Sequence, residues 1–269
     1  MALRADDILG LLEDDDRASL DALEAFESIE STNTYLLSQP APAAGRFRAA
    51  IADYQTQGRG RRGRCWIAPP GAAICLSLAG TFERSPADLP SLTLAMGVGV
   101  ASALRTLGAE DVHLKWPNDL VARDGKLAGI LTESSARGSA CTVVIGLGLN
   151  VDLPPAMLDA PPDRWASKIT DLKECVDALP SNAQLAAGLL QCMLATCTRF
   201  ARDGFAPFHA AWSGYDWLAG RDVRVEDDDD ESLEGRAAGI DADGALRLET
   251  AGGVRRVLTG SVTAVDGPA

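Results

Sequence analysis

A succession of strand-like segments around one long helical stripe most constrains what this chain can fold into. Runs rich in β-branched and small apolar residues fall at 47–54, 73–79, 112–116, 127–133 and 142–151. Between the second and third runs, an apolar stripe recurs at helical spacing: Leu92, Met96, Val100, Ala103 and Leu107. The pattern predicts an α+β fold in which packed helices cover a β-sheet.

Helices are also predicted on both sides of this strand-rich region. Residues 1–30 predict one or two short helices around an acidic segment, with too few apolar positions for an independent domain. A longer helix is predicted after Asn182, a plausible N-cap, and Gly204 is expected to end it. Its apolar stripe is interpreted as core packing: Leu185, Leu189, Met193, Cys197 and Phe200.

The pattern of predicted elements changes after about residue 215, from mixed helices and strands to short strands alone. Short β segments are predicted at 222–225, 234–240, 245–249, 254–258 and 261–265. Asp243-Gly244 and Gly252-Gly253 are typical of tight hairpin turns. We therefore predict two domains, 1–214 and 215–269, the second a small all-β barrel. The acidic run 226–231 between two of its strands is interpreted as a solvated loop.

Composition narrows the classes of function. The formal net charge of −13 disfavours nucleic acid as the main partner, because phosphate binding needs a basic face. No apolar run reaches the roughly 18–20 residues of a membrane span, and the acidic N-terminus does not look like a signal peptide. We therefore expect a cytoplasmic protein without a membrane partner. Six cysteines without metal-type spacing and two histidines leave little from which to build a zinc site.

The most concentrated signal is the segment 58–66, GRGRRGRCW. Its glycines match the dinucleotide pattern G-x-G-x-x-G and follow a predicted strand, but that motif has to open a helix. Here Pro69-Pro70-Gly71 follows, which is hostile to a helix. What remains is a glycine loop whose arginines match phosphate or carboxylate oxygens and could fold over an anionic intermediate. The alternative is a solvated basic loop or a nucleic-acid-binding patch.

Four further segments carry polar residues at the ends of predicted elements. In 115–119 (KWPND), Lys115, Asn118 and Asp119 could order ATP phosphates and Mg²⁺, although each alone could be a surface charge. In 126–129 (KLAG), Lys126 precedes an apolar strand. It is either a solvated charge at the edge of the sheet or a cation that points into a pocket. The glycines of 146–150 (GLGLN) permit close approach of a flat ligand. The remaining segment, Ser31-Thr32-Asn33, could cap a helix.

Together and in this order, these segments closely resemble the biotin protein ligase family, over residues 28–266. The resemblance implies a mixed sheet with packed helices, related to class II aminoacyl-tRNA synthetases, followed by an SH3-like barrel. It implies a two-step reaction. Biotin and ATP give biotinyl-5′-AMP and pyrophosphate, and a lysine of a biotin carboxyl carrier domain of a biotin-dependent carboxylase then takes the biotin.

The same resemblance implies roles for individual residues. Lys126 and Arg61 would be catalytic, with Asp119 arranging Mg²⁺ beside the ATP phosphates. Biotin would be bound by Ser31, Thr32, Asn33, Gln55, Arg59, Gly60, Arg61 and Lys126. The nucleotide would be bound by Arg62, Arg64, Trp66, Lys115, Asn118, Asp119 and Asn150.

Two other functions stay open on the sequence alone. A lipoate ligase uses related architecture and the same adenylate chemistry, although the arginine loop and the C-terminal barrel favour biotin. A non-catalytic sensor of biotinyl-AMP is the second alternative, which the full set of lysines and arginines disfavours. Some family members carry an N-terminal winged helix-turn-helix and repress genes. Residues 1–30 leave no room for one, so we expect no DNA binding, while a homodimer remains possible.

Overall fold

The computed structural model describes residues 3–82, 90–137, 140–159, 168–226 and 232–265. The helices are α1 Ala5–Leu9, α2 Asp14–Ser19, α3 Thr32–Ser38, α4 Pro90–Thr106, α5 Pro155–Leu158, α6 Asn182–Asp203 and α7 Ala206–Trp212. The first seven strands are β1 Leu20–Phe26, β2 Phe47–Ala52, β3 Ala73–Phe82, β4 His113–Lys115, β5 Asp119–Ala122, β6 Gly125–Arg137 and β7 Ala140–Asn150. The last five are β8 Asp222–Glu226, β9 Ser232–Ile240, β10 Leu246–Thr250, β11 Gly253–Val257 and β12 Ser261–Ala264.

Strands β1 to β7 form one sheet in the order β1-β2-β3-β7-β6-β5-β4. The pair β1–β2 is parallel, and the other neighbouring strands are antiparallel. The sheet is therefore mixed, which confirms the predicted α+β class. The long central strands β3, β7 and β6 bury their apolar side chains, because one of their faces is covered by helices.

The two predicted long helices cover the sheet and pack on each other. Gly99 of α4 lies directly against Thr196 of α6, so a side chain at position 99 would collide with the threonine hydroxyl. The N-cap of α6 is Ser181 rather than Asn182. Ser181 Oγ accepts from the backbone N–H of Gln184, and the Gln184 side chain accepts from the backbone N–H of Ser181, which forms a capping box. Gly204 ends the helix, as predicted.

The region around KWPND departs from the sequence prediction. The expected strand 112–116 is a short strand, β4, which turns back through the cis Trp116–Pro117 peptide into β5. Strand β5 was not predicted, and neither was β1, whose residues fall inside the segment interpreted as helical. Side chains alternate along β4 and its flanking residues, since Val112, Leu114 and Trp116 are buried while Lys115 is only partly buried.

Strands β8 to β12 form a second, antiparallel sheet in the order β11-β10-β9-β8-β12, which confirms the all-β C-terminal region. It packs against the first sheet. Trp116 Nε1 donates to the carbonyl of Gly244, and the backbone N–H of Leu114 donates to the carbonyl of Tyr215. The boundary between 214 and 215 stays a prediction. Most of the acidic run, residues 227–231, lies outside the described residues.

None of the described helices combines the length and the apolar character that a membrane span requires.

Candidate active site

A cavity of about 560 Å³ opens where the central sheet, the segment 58–66 and the C-terminal sheet meet. Its size lies in the range of small-molecule sites, which is roughly 300–1,000 Å³. Every site residue predicted from the sequence lines it except Arg62: Ser31, Thr32, Asn33, Gln55, Arg59, Gly60, Arg61, Arg64, Trp66, Lys115, Asn118, Asp119, Lys126 and Asn150. The structure thus brings together segments that are far apart in the chain.

One end of the cavity is a buried polar network at the start of α3. Ser31 caps this helix by accepting from the backbone N–H of Thr34, so the capping interpretation of that serine is confirmed. The backbone N–H and the hydroxyl of Thr32 both donate to Gln55 Oε1, at 2.8 and 3.1 Å. Ser31, Thr32 and Asn33 are each at most 4% exposed. Side chains held this way are preorganised to recognise a small polar group.

Asn33 is the most constrained residue of this network. Its Oδ1 accepts from the Ser77 hydroxyl at 2.6 Å, and its Nδ2 donates to Glu133 Oε2 at 2.9 Å. Its amide packs directly on Gly146 of β7, where a Cβ would overlap Oδ1. Gly146 is therefore required for the close approach of a protein side chain. Close approach of a flat ligand is predicted from the glycines of 146–150, but the space beside Gly146 is filled by Asn33.

The segment 58–66 forms a hairpin, which we call the arginine hairpin. Gly58 and Trp66 pair through a backbone hydrogen bond of 2.9 Å, and Gly60 N–H donates to the carbonyl of Arg64 at 2.7 Å. The tip is a single 3₁₀ turn, Arg61–Gly63, in which Arg62 has a left-handed φ of 56°. Extended chain follows. The helix that a dinucleotide site needs is therefore absent here, as predicted from the prolines.

The arginines of the hairpin reach three different surfaces. Arg59 forms an ion pair of 3.0 Å with Glu133. Arg61 donates to Asn118 Oδ1 at 3.2 Å and to Thr259 Oγ1 at 3.4 Å. Arg62 and Arg64 both donate to Ser261 Oγ, at 3.1 and 2.6 Å, and Arg62 also to the carbonyl of Glu226 at 2.9 Å. The C-terminal sheet thus holds the hairpin at the cavity, and Arg62 points to that sheet.

Two lysines and one carboxylate form the opposite, cationic part of the cavity. Lys126 Nζ lies 2.8 Å from Asp119 Oδ1, a buried carboxylate oxygen, and the two groups form an ion pair. Burial lowers the pKa of Lys115 below its usual value, with Asp119 opposing and Lys126 and Arg64 reinforcing the shift. An anion entering here would meet two ammonium groups.

Trp66 and Asn150, two of the predicted nucleotide-binding residues, both line the cavity. The indole of Trp66 packs on Gly148, where a Cβ would be 2.5 Å from Cε2, and also borders Gly129. Asn150 Nδ2 donates to the carbonyls of Lys126 and Thr170, at 3.2 and 3.0 Å. Both side chains line the cavity, but this tryptophan already fills the space beside Gly148.

One cysteine, Cys65, lines this cavity, and another, Cys75, lies beside the lining residues Trp66 and Gln55. Burial raises the pKa of Cys75 to about 12, which keeps its thiol protonated and unreactive. Cys65 is exposed in the hairpin. Among the residues that the structure describes, no group of three or more histidines, cysteines or carboxylates could hold a metal ion.

Several lining or supporting residues escaped the sequence analysis. The C-terminal sheet contributes Gly260, Ser261, Val262 and Thr263, and apolar lining comes from Leu153, Met157 and Ile169. Ser77 and Glu133 support the lining residues from behind. Glu133 had one visible signal, a lone carboxylate at the end of an otherwise apolar run, 127–133. The others had none, because they depend on contacts between distant segments.

Comparisons with known proteins agree with this geometry. A model of the biotin/lipoate A/B protein ligase family matches residues 25–150, and one of the biotin protein ligase C terminal domain matches residues 219–263. The bifunctional ligase/repressor BirA of Escherichia coli is 38% identical over 265 residues, which cover 97% of this chain and 78% of that protein. The biotin--[acetyl-CoA-carboxylase] ligase of Mycobacterium tuberculosis is 35% identical over 245 residues, which cover 89% and 88%.

Solved structures show the same fold. The biotin protein ligase from Aquifex aeolicus in complex with biotin and ATP superimposes with a TM-score of 0.72 at 23% identity, over 91% of this chain and 97% of that one. A second structure from the same organism, without ligand, gives a TM-score of 0.71 at 20% identity, over 91% and 99%. From the family models and these relatives, this chain is a member of the biotin protein ligase family.

Proposed function

We propose that this protein joins biotin to a lysine of a biotin carboxyl carrier domain, at the expense of ATP. The observation that carries this proposal is the cavity itself. A buried polar network, a loop of arginines and a pair of lysines line one space of about 560 Å³. A neutral polar head group, a carboxylate and a nucleotide phosphate are the ligand parts that these three surfaces suit.

In the first step, the biotin carboxylate attacks the α-phosphate of ATP, and pyrophosphate leaves. Ser31, Thr32, Asn33 and Gln55 would bind the head group at the buried end. Arg59, Gly60 and Arg61 would close over the carboxylate and the phosphate, while Lys126 stabilises the charge that develops where they join. Asp119 holds the Lys126 ammonium at 2.8 Å, at the cavity wall.

The nucleotide would lie between the remaining predicted residues: Arg62, Arg64, Trp66, Lys115, Asn118, Asp119 and Asn150. Asn150 keeps its Oδ1 available for the adenine amino group, since its Nδ2 is already used by two carbonyls. Asn118 Oδ1 accepts a hydrogen bond from Arg61, so Asn118 also helps to hold the arginine hairpin in place. Arg62 would act on the nucleotide only through the hairpin, because its guanidinium contacts the C-terminal sheet.

The donor set at Asp119 fits Mg²⁺ bound together with ATP. Asp119 presents a carboxylate to the cavity, and Mg²⁺ prefers oxygen ligands. One carboxylate is too few for a metal cage, so the phosphates would supply most of the ligands. When bound, the ion would neutralise phosphate charge and favour departure of pyrophosphate. Asp119 would then orient the ion, while Lys126 stays on the reacting oxygens.

In the second step, the acceptor amine attacks the mixed anhydride and AMP leaves. The anhydride has to be kept from water until then, and the arginine hairpin forms one wall of the cavity. The hairpin is held by hydrogen bonds to Asn118, Thr259 and Ser261. These contacts would have to open when substrates enter and close while the adenylate is present.

The decisive experiment is reconstitution. The protein is incubated with ATP, Mg²⁺, biotin and a purified carboxyl carrier domain, and streptavidin detects the product. We expect labelling of one lysine, and pyrophosphate release that depends on biotin. Release with lipoate in place of biotin would favour the lipoate ligase alternative. Binding of synthetic biotinyl-AMP without any transfer would favour the sensor.

Three wider expectations accompany this proposal. We expect the protein to act in the cytoplasm, where carboxylases are made. We expect no retardation of operator-like DNA in gel-shift assays, with or without the adenylate, in keeping with the net charge of −13. Sedimentation with and without biotin and ATP would show whether the chain forms a homodimer.

A further inference from the structure

Glu133 lies next to the cavity and links two parts of it that belong to different elements. It stands on β6, opposite Val144 of β7. Its Oε2 accepts from Asn33 Nδ2 at 2.9 Å, and its Oε1 lies 3.0 Å from a guanidinium nitrogen of Arg59. The two oxygens of one carboxylate therefore serve the head-group network and the arginine hairpin at once.

On the network side, Glu133 sets the orientation of an amide. Asn33 Nδ2 donates to Glu133 and to the carbonyl of Leu131, while Oδ1 accepts from Ser77. Exchanging the nitrogen and the oxygen would place a donor against Ser77 and an acceptor against the carboxylate. The carboxylate thus fixes which atom of Asn33 faces which partner.

On the hairpin side, Glu133 supplies the strong contact of Arg59. The only other partner of that guanidinium among the described residues is Thr34 Oγ1, at 3.5 Å, the long limit for a hydrogen bond. The Glu133 side chain is 20% exposed and that of Arg59 49%. The carboxylate of this ion pair is therefore better shielded from water than the guanidinium. Contacts between charged partners are stronger than those between neutral ones.

We propose that Glu133 is a positioning residue that couples occupation of the head-group site to closure of the arginine hairpin. This inference rests on the proposed function. A carboxylate placed by Asn33 presents its second oxygen to Arg59, and a carboxylate drawn away from Asn33 loses that alignment. A bound head group that steadies Asn33 therefore also steadies the hairpin over the newly formed adenylate.

The test is a double-mutant cycle on Glu133→Gln and Arg59→Ala. Glutamine keeps the size of the side chain but offers one acceptor oxygen, so it satisfies only one of the two donors. Pyrophosphate release gives KM for biotin and for ATP, and a chase with unlabelled biotin and ATP gives the dissociation rate of labelled biotinyl-AMP. We expect Glu133→Gln to raise KM for biotin and the dissociation rate about tenfold each, the size of one lost charge-assisted contact.

The same cycle separates positioning from general destabilisation. We expect KM for ATP to change by less than about twofold. We also expect Arg59→Ala to have a smaller effect in the Glu133→Gln background than in the wild-type protein, because coupled residues are non-additive. The matched control is Glu234→Gln, which removes the partner of Arg224 in the exposed pair of the C-terminal sheet. This control should leave all three quantities unchanged.

The inference is overturned if Glu133→Gln has the KM for biotin and the biotinyl-AMP dissociation rate of the wild type. It is also overturned if the effects of the two substitutions are independent and multiply. Where Glu133→Gln fails to fold, Glu133→Asp gives the same readouts, because its shorter carboxylate keeps the charge but reaches one partner at most. A wild-type protein that releases no pyrophosphate with biotin and ATP refutes the proposed function instead, so the two failures are distinguishable.

Discussion

The two glycines of β7 that face the cavity allow a sharp test of how the site is divided. In Gly146→Ala, the new methyl group would lie 3.0 Å from Asn33 Cγ and 3.2 Å from Nδ2, and would overlap Oδ1. Ordinary carbon contacts are about 3.5–4.0 Å, so the amide has to retreat by roughly 0.5–1 Å. That retreat breaks the contacts with Ser77 and Glu133.

The expected magnitude follows from this displacement. Overpacking a tight site costs about 1–3 kcal/mol, and a displacement near 1 Å in a binding group can reduce kcat/KM by about 100-fold. We expect Gly146→Ala to raise KM for biotin by roughly 10- to 100-fold and to leave KM for ATP nearly unchanged. Gly148→Ala should do the reverse, because its methyl group displaces Trp66 rather than Asn33.

The assay is pyrophosphate release with one substrate varied and the other saturating, for both variants. Gly188→Ala in α6 is the control, since a Cβ there meets nothing within 4 Å and alanine favours a helix by about 1 kcal/mol. It should keep wild-type kinetics and unfold at a slightly higher temperature. If both cavity variants raise both KM values equally, the separation into a biotin end and a nucleotide end is refuted.

The remaining predictions concern charged residues of the cavity. Arg61→Gly removes the contacts to Asn118 and Thr259, so the adenylate should escape and label bystander proteins; labelling no stronger than with wild type would contradict retention by the hairpin. Lys126→Ala should slow pyrophosphate release at least about 100-fold, and near-normal release would exclude its role. Lys115→Met should raise the apo Tm by a few degrees, roughly 2–4 °C per kcal/mol, while ATP should stabilise it less than wild type.

The Lys115 expectation follows from the direction of its pKa shift. Burial lowers the pKa of this ammonium in the folded protein, so the unfolded chain binds the proton more tightly. Between the lowered pKa and the usual value near 10.5, stability therefore rises with pH, and below that window the full penalty of the buried charge is present. Methionine abolishes this rise, which pH-dependent thermal unfolding of the two proteins would show.

Much of the fold could be predicted because its signals are local. The central strands and the helices α4 and α6 have regular apolar spacing, and Ser181 and Gly204 cap and end α6. The strand β1, Leu20–Phe26, could not be predicted this way. Its leucines, alanines and glutamate favour a helix, and it becomes extended because it pairs in parallel with β2. Strand β5 could not be predicted either, because it is only four residues long and begins two residues after Pro117.

The site could be predicted as a set of residues but not as a set of contacts. Lys126 and Asp119 are seven positions apart, and both stand out as charges beside apolar runs. The contact between Asn33 and Glu133 joins positions 100 apart, and the contact between Arg64 and Ser261 joins positions 197 apart. Such pairs are brought together only by the order of the strands and by the packing of the second sheet. No local sequence pattern could therefore predict them.

The contacts of the cavity differ in a way that suits the two tasks proposed for it. At the proposed head-group end, Thr32, Asn33 and Ser77 are buried, and the Ser77 hydroxyl is hydrogen-bonded to both other side chains. Water cannot readily replace these partners. The arginine hairpin is held by one partly exposed ion pair, between Arg59 and Glu133, and by mostly exposed hydrogen bonds to Asn118, Glu226, Thr259 and Ser261. Recognition can therefore remain fixed while the hairpin opens for substrates, and the carboxylate of Glu133 stands where the fixed and the movable parts meet.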